Sequence, residues 1–281
     1  MIKASKYHGY GNDFIIVPPG QTEESRYPAL AKAICDRHFG IGADGCVFLQ
    51  EGEGERFPIR IFNQDGSEAG MSGNGTRCAA AYVHHQEVSS GDEIVFLTAS
   101  GAKSYCLIES SFPVWRYKSQ MGVPGFSPSK IPFIAPDGLE SIQNHEVAVG
   151  RHMVRINALW VGNPQCAVFV EELPSDDLFD QLGSGLSLHP SFPQGTNVSF
   201  VLPTGPQSLK IRIWERGVGP THSSGTGSCG AAIAALVEGR VQSPVEVQTT
   251  TGTQVVEWGP GREILLTGEA CFVADAEICL T

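Results

Sequence analysis

The feature that most constrains the fold of this 281-residue chain is a long-range internal repeat. Ile59-Arg60-Ile61-Phe62 recurs as Ile211-Arg212-Ile213-Trp214, at an offset of 152 residues. At the same offset, Ser72-Gly73-Asn74-Gly75 recurs as Ser224-Gly225-Thr226-Gly227. Two further pairs recur in the same order, at offsets of 151 and 153: Gly11-Asn12 with Gly162-Asn163, and Asp44 with Asn197. Matches in one order at a near-constant offset indicate a duplication, so the sequence predicts two copies of one half-domain.

Each copy has the same predicted order of local elements. A strand rich in β-branched residues, 58–62 or 209–214, leads into a loop that ends in Ser-Gly-x-Gly. A helix of small residues follows, over 76–85 in the first copy and 228–237 in the second. Alanine favours helix and permits close packing on every side. We therefore expect each helix to be buried inside a curved sheet rather than to lie on a surface.

The Ser-Gly-x-Gly turn predicts a binding site for an anion. Glycine lets the backbone come close to a ligand, and the free amides at a helix N-terminus converge on negative charge. Neither copy carries the lysine of a Walker motif, so a carboxylate is favoured over a nucleotide phosphate. For one copy alone, a glycine-rich turn without a ligand is the simpler interpretation. Two copies in a duplicated chain favour one carboxylate held by both, with chemistry at the adjacent carbon.

Polar residues occupy duplicated places around the two turns. They form the pairs Asn12 and Asn163, Asp44 and Asn197, and Asn63 and Glu215. Turn and cap chemistry accounts for asparagine and aspartate at such places. The pair Glu215-Arg216 is more informative, because arginine binds a carboxylate through two hydrogen bonds and glutamate pairs with an ammonium group.

The net charge and the cysteines indicate which binding partners and which cellular compartment to expect. The net charge of −11 argues against nucleic acid, whose phosphates require basic partners. The N-terminus opens without an apolar signal core, and no apolar run reaches transmembrane length, so no membrane role is expected. The eight cysteines are scattered without metal-like spacing, and a reducing cytoplasm is therefore predicted.

Seven blocks of sequence resemble the signature of the diaminopimelate epimerase family, in the family's order. They are residues 8–14, 39–45, 62–68, 73–78, 162–164, 197–198 and 215–219. The resemblance implies an α+β fold of two pseudo-symmetric halves, each a curved, mostly antiparallel sheet around a central helix, with the site in the cleft between them. It also implies an isomerase: a two-base amino-acid epimerase of lysine biosynthesis that converts LL- to meso-diaminopimelate without cofactor or metal. The partner implied by the resemblance is a small-molecule amino acid substrate, and the implied assembly is a homodimer.

The halves are expected at residues 1–123 and 124–268. The proline-rich stretch 124–136 is the predicted crossing between them. Residues 269–281 are expected to return to the N-terminal half as a strand.

The resemblance also implies roles for particular residues. The residues expected to bind the distal end of an amino diacid are Asn12, Asn63, Asn163, Asn197, Glu215 and Arg216. The amides expected to hold the carboxylate at the reacting centre are those of Gly73, Asn74, Gly225 and Thr226. The two catalytic positions are Ser72 and Ser224. The family has cysteines there; one removes the α-proton and the other returns a proton on the opposite face.

Serine at both catalytic positions predicts impaired epimerisation. A thiol has a reference pKa near 8.5, which a helix N-terminus lowers further, whereas a serine hydroxyl needs an adjacent base to act. Three explanations stay open: an engineered inactive form, a diverged isomerase, or an amino-acid-binding homologue without turnover. Gln165 and Pro220 stand where the family usually has histidine and glutamate, which favours natural divergence. A diverged isomerase needs another proton carrier, and the candidates are Glu68, Asp65 and His222.

Overall fold

A computed structural model describes residues 1–136 and 138–279 of the chain, which divides into two compact units. The first unit contains residues 1–119 together with the chain from residue 267 onward. The second unit is the continuous segment 120–266.

The first unit consists of strands around one enclosed helix, with a second helix outside. After β2 a short 3-10 turn, Glu24–Arg26, precedes α1. Its elements are β1 (Ile2–Gly9), β2 (Asn12–Val17), α1 (Tyr27–Cys35), β3 (Gly45–Leu49), β4 (Arg56–Asn63), β5 (Glu68–Ala69), α2 (Gly73–His85), β6 (Glu93–Thr98), β7 (Gly101–Ser111), β8 (Val114–Gln120) and β17 (Leu265–Ile278).

Strand pairing in this unit runs in a closed ring. The order is β1, β2, β3, β4, β6, β7, β8 and β17, and β17 pairs with β1 again. The pairs β2–β3 and β4–β6 are parallel, while the antiparallel pairs include β1–β2, β3–β4, β6–β7, β7–β8 and β1–β17. Closing the ring leaves its strands without a free edge. The closing strand is supplied by the C-terminal end of the chain.

Most residues of helix α2 are small because strands surround the helix. Its residues from Asn74 to Val83 are buried, and Ala79, Ala80 and Ala81 pack in one core with aromatic and branched side chains of the ring. A Cβ atom at Gly75 would lie 2.9 Å from the ring of Phe14. The glycine in the first turn of α2 therefore lets Phe14 pack against the backbone.

The second unit repeats this plan. Its elements are β9 (Ile142–Val149), β10 (His152–Trp160), β11 (Pro164–Phe169), α3 (Asp176–Ser187), β12 (Asn197–Gly205), β13 (Ser208–Glu215), β14 (Gly219–Thr221), α4 (Gly225–Val237), β15 (Val245–Thr249) and β16 (Gly252–Glu257). The parallel pairs are β11–β12 and β13–β15, at the places of β2–β3 and β4–β6. Antiparallel pairs join β9 to β10, β10 to β11, β12 to β13, β13 to β14 and β15 to β16. The predicted α+β class with mostly antiparallel sheets is confirmed.

Helix boundaries differ from the sequence prediction in three places. Helices α2 and α4 begin at Gly73 and Gly225, three residues before the predicted starts, so each Ser-Gly-x-Gly turn is itself the first helical turn. The apolar residues Leu30 and Ile34 predict an amphipathic helix over residues 27–38. In the structure this helix ends at Cys35, because the Asp36 carboxylate accepts hydrogen bonds from the amides of His38 and Phe39 and stabilises a turn there.

Within residues 1–136 and 138–279, none of the helices combines the length and apolar character that crossing a bilayer requires.

Overpacking the enclosed helix tests whether the ring fits tightly around it. Ala80 is fully buried in α2, whereas Ala33 is exposed on α1. We expect Ala80→Leu to cost about 1–3 kcal/mol of stability, which lowers the melting temperature by several degrees. Ala33→Leu introduces the same side chain into a helix on the surface and should leave the melting temperature unchanged. Melting temperatures are measured by circular dichroism. Equal melting temperatures for the two variants would contradict a tightly packed ring.

Candidate active site

Ser72 and Ser224 are the N-cap residues of the two enclosed helices. Both have extended backbones, with φ and ψ of −141° and 117° at Ser72 and −144° and 126° at Ser224. The Ser72 Oγ accepts a hydrogen bond from the Gly75 amide at 3.1 Å, and the Ser224 Oγ accepts one from the Gly227 amide at 3.3 Å. Serine is among the preferred N-cap residues because its oxygen satisfies an otherwise unpaired amide. Each hydroxyl thus has a structural role in its helix.

Two amides in each first turn are left for a ligand. The Thr76 and Ser228 amides donate to the backbone oxygens of Ser72 and Ser224. Together with the capped amides of Gly75 and Gly227, they leave the amides of Gly73, Asn74, Gly225 and Thr226 without a hydrogen bond in the described part of the chain. We call Gly73 and Asn74 the first nest, and Gly225 and Thr226 the second nest. Free amides at a helix N-terminus suit a carboxylate.

The first nest has open space above it. A Cβ atom at Gly73 would meet no atom within 4 Å. Tyr105 supports the nest from below by donating its hydroxyl to the Gly73 carbonyl at 3.3 Å. The nest therefore combines two unpaired amides with room for a ligand.

A directed chain of hydrogen bonds lies behind the first nest. The buried Arg77 donates to Asn74 Oδ1 at 2.5 Å, Asn74 Nδ2 donates to Asn12 Oδ1 at 3.1 Å, and Asn12 Nδ2 donates to Asp44 Oδ2 at 2.8 Å. Arginine has only donors and a carboxylate only acceptors, so the two ends determine the orientation of both amides. The structure thus links Asn12 and Asn74, two predicted site residues.

Next to this chain of hydrogen bonds, two cationic side chains pair with the Asp13 carboxylate. Lys6 Nζ and Arg37 each lie 2.8 Å from the Asp13 carboxylate, and Arg37 also lies 2.8 Å from Asp44. Burial opposes ionisation of Asp13, but the hydrogen bonds from Arg37 and Lys6 outweigh it and hold its pKa at about 2. The Asp13 carboxylate therefore stays ionised at neutral pH.

Asn63 stands apart from this chain of hydrogen bonds. It is exposed at the end of β4, and its Nδ2 donates to the Ser67 hydroxyl at 2.9 Å. The place of Asn63 in the duplication is taken in the second unit by Glu215.

The second unit brings the predicted distal group together around Asn197. The buried Asn197 accepts the Arg216 amide at 2.9 Å, and the Arg216 guanidinium donates to the Gln194 carbonyl at 2.6 Å. Arg216 itself is exposed, so most of its donors face solvent. Glu215 accepts the Thr221 hydroxyl at 3.3 Å. These contacts hold an arginine and a carboxylate side by side, as a ligand with two charged ends requires.

Asn163 is bonded to Gln165 in the same unit. The Gln165 amide donates to Asn163 Oδ1, and Gln165 is almost completely buried. A Cβ atom at Gly230 of α4 would lie 2.8 Å from the Gln165 side chain. Gln165 is therefore packed against α4.

The carboxylic acids proposed as proton carriers are occupied elsewhere. Arg60 binds Glu68 through two hydrogen bonds, at 2.8 and 2.7 Å, and lowers its pKa. Hydrogen bonds from the hydroxyl and amide of Ser67 lower the pKa of Asp65. A proton carrier at neutral pH needs a raised carboxyl pKa. The structure therefore disfavours both, and His222 is exposed next to the buried Ser223.

The cysteines nearest the nests do not replace the missing thiols. Cys78 and Cys229 are fully buried inside α2 and α4. Burial raises the pKa of Cys78 to about 12 and raises that of Cys229 as well. Among residues 1–136 and 138–279, no group of three or more histidine, cysteine or acidic side chains could hold a metal ion.

Sequence reasoning missed Arg77, Arg37 and Lys6. Arg37 and Lys6 stand just outside the blocks 39–45 and 8–14, and only the fold brings both of them to Asp13. Arg77 carried a usable signal, because it is the one charged residue in the helix Thr76 to Val83, which is otherwise small or apolar apart from Tyr82. A charged side chain in an enclosed helix needs polar or charged partners that offset the cost of its burial.

Solved structures similar in fold cover almost the whole chain. One is a phenazine biosynthesis protein of the PhzF family from Bacillus anthracis, with a TM-score of 0.68, 14% identity and 99% coverage of both chains. Another is a hydroxyproline epimerase from Agrobacterium vitis with bound trans-4-hydroxy-L-proline, with a TM-score of 0.65, 13% identity, and coverage of 98% of this chain and 91% of that one. The chain therefore has the fold of the class that these proteins share.

The sequence comparisons identify the family within this class. The sequence model of diaminopimelate epimerase matches residues 4–123 and 158–273. The diaminopimelate epimerase of Pelotomaculum thermopropionicum is 37% identical over 275 residues, with 97% of each chain covered. That of Desulfitobacterium hafniense is 34% identical over 271 residues, with 95% of each chain covered. The chain belongs to the diaminopimelate epimerase family, which confirms the resemblance.

Removing the Asp13 charge tests the ion pairs behind the first nest. Because the pKa of Asp13 is lowered in the fold, its stabilisation is present above about pH 4 and is lost as the pH falls from about 4 to 2. We expect Asp13→Asn to lower stability at pH 7 by about 1–2 kcal/mol, since Lys6 and Arg37 lose their shared partner. Thermal melting between pH 2 and pH 7 should show the difference from the parent shrinking below pH 4. Asp176→Asn, at an exposed ion pair with Arg212, is the control and should change little. A difference that does not depend on pH would contradict the ionised role of Asp13.

Proposed function

We propose that the chain binds an amino diacid and acts as an epimerase scaffold at its α-carbon, with proton transfer impaired by serine at positions 72 and 224. The observation that carries the proposal is the duplicated pair of serine-capped helix N-termini, each with two unpaired amides next to the cap. The two nests would hold one α-carboxylate, and the two cap residues would be the groups next to the α-carbon. Diaminopimelate, an amino acid with two carboxylates and two ammonium groups, is the proposed ligand, as the family name suggests.

The distal end of the ligand would be bound by Arg216 and Glu215. Arg216 is anchored through its amide and one guanidinium nitrogen, which leaves further donors for a distal carboxylate. Glu215 would pair with the distal ammonium group. Asn12, Asn63, Asn163 and Asn197 would complete the recognition, as the resemblance implies.

Proton transfer is the step in which this chain should be weak. A thiolate at a helix N-terminus is stabilised by the helix dipole and can remove a proton. A serine hydroxyl stays protonated at neutral pH, and at both caps its oxygen already accepts an amide hydrogen bond. We found no neighbouring base bonded to either hydroxyl among the described residues. Exchange of the α-proton should therefore be slow.

An amino-acid-binding homologue without turnover is the second candidate. The N-cap hydrogen bonds favour it, because serine stabilises each helix without any need for proton transfer. A diverged isomerase is less favoured, since Glu68 and Asp65 are exposed and have lowered pKa values. We propose a reducing compartment such as the cytoplasm, because all eight cysteines are free thiols. A homodimer stays our expectation for the assembly.

Deuterium exchange tests the role of the serines. Incubation of LL- or meso-diaminopimelate with the protein in D₂O should give little deuterium at the α-carbon by NMR. Ser72→Cys combined with Ser224→Cys should raise exchange by orders of magnitude, because each thiol supplies an ionisable group. Either substitution alone should restore much less epimerisation, since inversion needs a base on one face and an acid on the other.

The outcomes of this experiment separate the candidates. Rescue by the double substitution supports an epimerase scaffold that lacks only its thiols. Binding without rescue supports the amino-acid-binding homologue. Rapid exchange by the unchanged protein would overturn the argument from serine's weak acidity, and His222→Ala would then test the remaining proton carrier.

Calorimetry tests the distal site independently of catalysis. We expect Arg216→Met to weaken a diacid such as diaminopimelate by about 10-fold or more and to leave a monoacid such as lysine nearly unchanged, because only the diacid has a distal carboxylate. Arg155→Met removes the same charge from an exposed ion pair of the same unit and is the matched control. Equal losses for diacid and monoacid would remove Arg216 from the distal site.

A further inference from the structure

Among residues 1–136 and 138–279, Arg77 is the largest side chain that is fully buried, with 2% of its surface exposed. It lies in the second turn of the enclosed helix α2, where the duplication offset of 152 puts the apolar, fully buried Cys229 in α4. At this place the two enclosed helices, which share a serine cap, differ by a buried positive charge.

The surroundings of Arg77 leave its charge uncancelled. Its Nε donates to the backbone carbonyl of Glu269 at 2.9 Å, its Nη2 donates to Asn74 Oδ1 at 2.5 Å, and its guanidinium lies 5.5 Å from the centre of the Tyr10 ring. These partners are a carbonyl, an amide and an aromatic ring face, all of them neutral. Among the ion pairs of residues 1–136 and 138–279, none includes Arg77.

The nearby carboxylates are each bound by another cation. Asp13 is held by Lys6 and Arg37, Asp44 by Arg37, and Glu269 by Arg116 at 2.6 Å. The side chains that face Arg77 from the β1–β2 turn, β7, β17 and α2 itself are Tyr10, Tyr105, Glu269, Cys271 and Cys78. Asp13 and Asp44 are thus paired with Lys6 and Arg37, and Glu269 is paired with Arg116, which also lies 3.4 Å from Glu109. None of these carboxylates forms an ion pair with Arg77.

Space for this guanidinium is built into the fold. A Cβ atom at Gly9 would lie 2.8 Å from Arg77 Nη2, and one at Gly268 would lie 3.2 Å from its Cζ. The glycines on these two neighbouring strands thus leave room inside the ring for the large Arg77 side chain. A buried charge is costly, and this one is held at the nest by a fixed hydrogen bond to Asn74.

We propose that Arg77 is a positioning residue that makes the first nest a stronger anion site than the second. It acts in two ways: it orients Asn74 by a hydrogen bond, and it adds a positive charge in a buried environment, where charges are poorly screened. This inference rests on the proposed function and deepens it, because it assigns a protonation state to each cap position before the ligand binds. An ionisable group at position 72 carries the negative charge, and one at position 224 keeps its proton.

Single thiols introduced at the two caps report this difference without any substrate. Ser72→Cys and Ser224→Cys are prepared separately, and the rate of alkylation of each introduced thiol by iodoacetamide is followed against pH. Peptide-resolved mass spectrometry separates each site from the exposed thiols of Cys106 and Cys279. We expect the thiol at position 72 to titrate about one pKa unit below that at position 224.

Charge and geometry are separated by variants at Arg77. In the Ser72→Cys background, Arg77→Met should raise the titration midpoint by about one pKa unit, whereas Arg77→Lys keeps the charge and should restore most of the shift. Arg60→Met removes an equal charge from the ion pairs with Glu24 and Glu68 and should leave the midpoint unchanged. The thiol at position 224 should be insensitive to Arg77→Met.

Each result decides the proposal. A thiol at position 72 that is no more acidic than the one at position 224 overturns it, and this comparison needs no change at Arg77, whose removal could prevent folding. Equal effects of Arg77→Met and Arg77→Lys would show that geometry alone matters and would overturn the charge argument. If Arg77→Met and Arg60→Met raised the titration midpoint equally, the shift would reflect only the net charge of the protein, and the proposal would be wrong. Because no turnover is measured, the proposal can fail while the proposed function holds, and the reverse.

Discussion

The N-cap hydrogen bond of each enclosed helix is the interaction on which both units depend. A helix surrounded by strands cannot satisfy its first amides with water, so its own cap residue must do so. Ser72 and Ser224 satisfy the amides of Gly75 and Gly227, and their backbone oxygens accept the next amides. What remains in each unit is a pair of amides without a protein acceptor among the described residues. Helix stability and the proposed anion binding therefore have one origin in this fold.

Serine and cysteine at this position meet different demands. A serine hydroxyl is a good cap and a poor base, whereas a thiol is a weaker hydrogen-bond acceptor that the same helix N-terminus ionises. The chain belongs to a family named for its epimerase activity, yet its two caps favour helix stability over proton transfer. We therefore expect the proposed impairment of proton transfer to come with firmly capped helices and an intact carboxylate site.

The duplication made much of the fold predictable, and the limits of prediction are physical. Strands β4 and β13 and the two enclosed helices followed from the repeat, because β-branched runs and alanine-rich segments have clear local preferences. Helix α3 was missed because Gly183 and Gly185 weaken its pattern; there the absent Cβ atoms make room for Trp214 and Val149. The first turns of α2 and α4 were predicted as loops, since glycine disfavours helix locally. Of the candidate site, the nests follow from a motif, whereas the ion pairs at Asp13 join residues that only the folded chain brings together.

The strand that closes the ring of the first unit has a consequence for synthesis on the ribosome. Strand β17 comes from the last part of the chain, while the rest of the ring is made before residue 121. The second unit is continuous and has all its residues available earlier, so it can complete its fold first. Until β17 emerges, the edges of β1 and β8 lack their shared partner, and Arg77 lacks the Glu269 carbonyl. The half of the protein that begins the chain is therefore the half that finishes folding last.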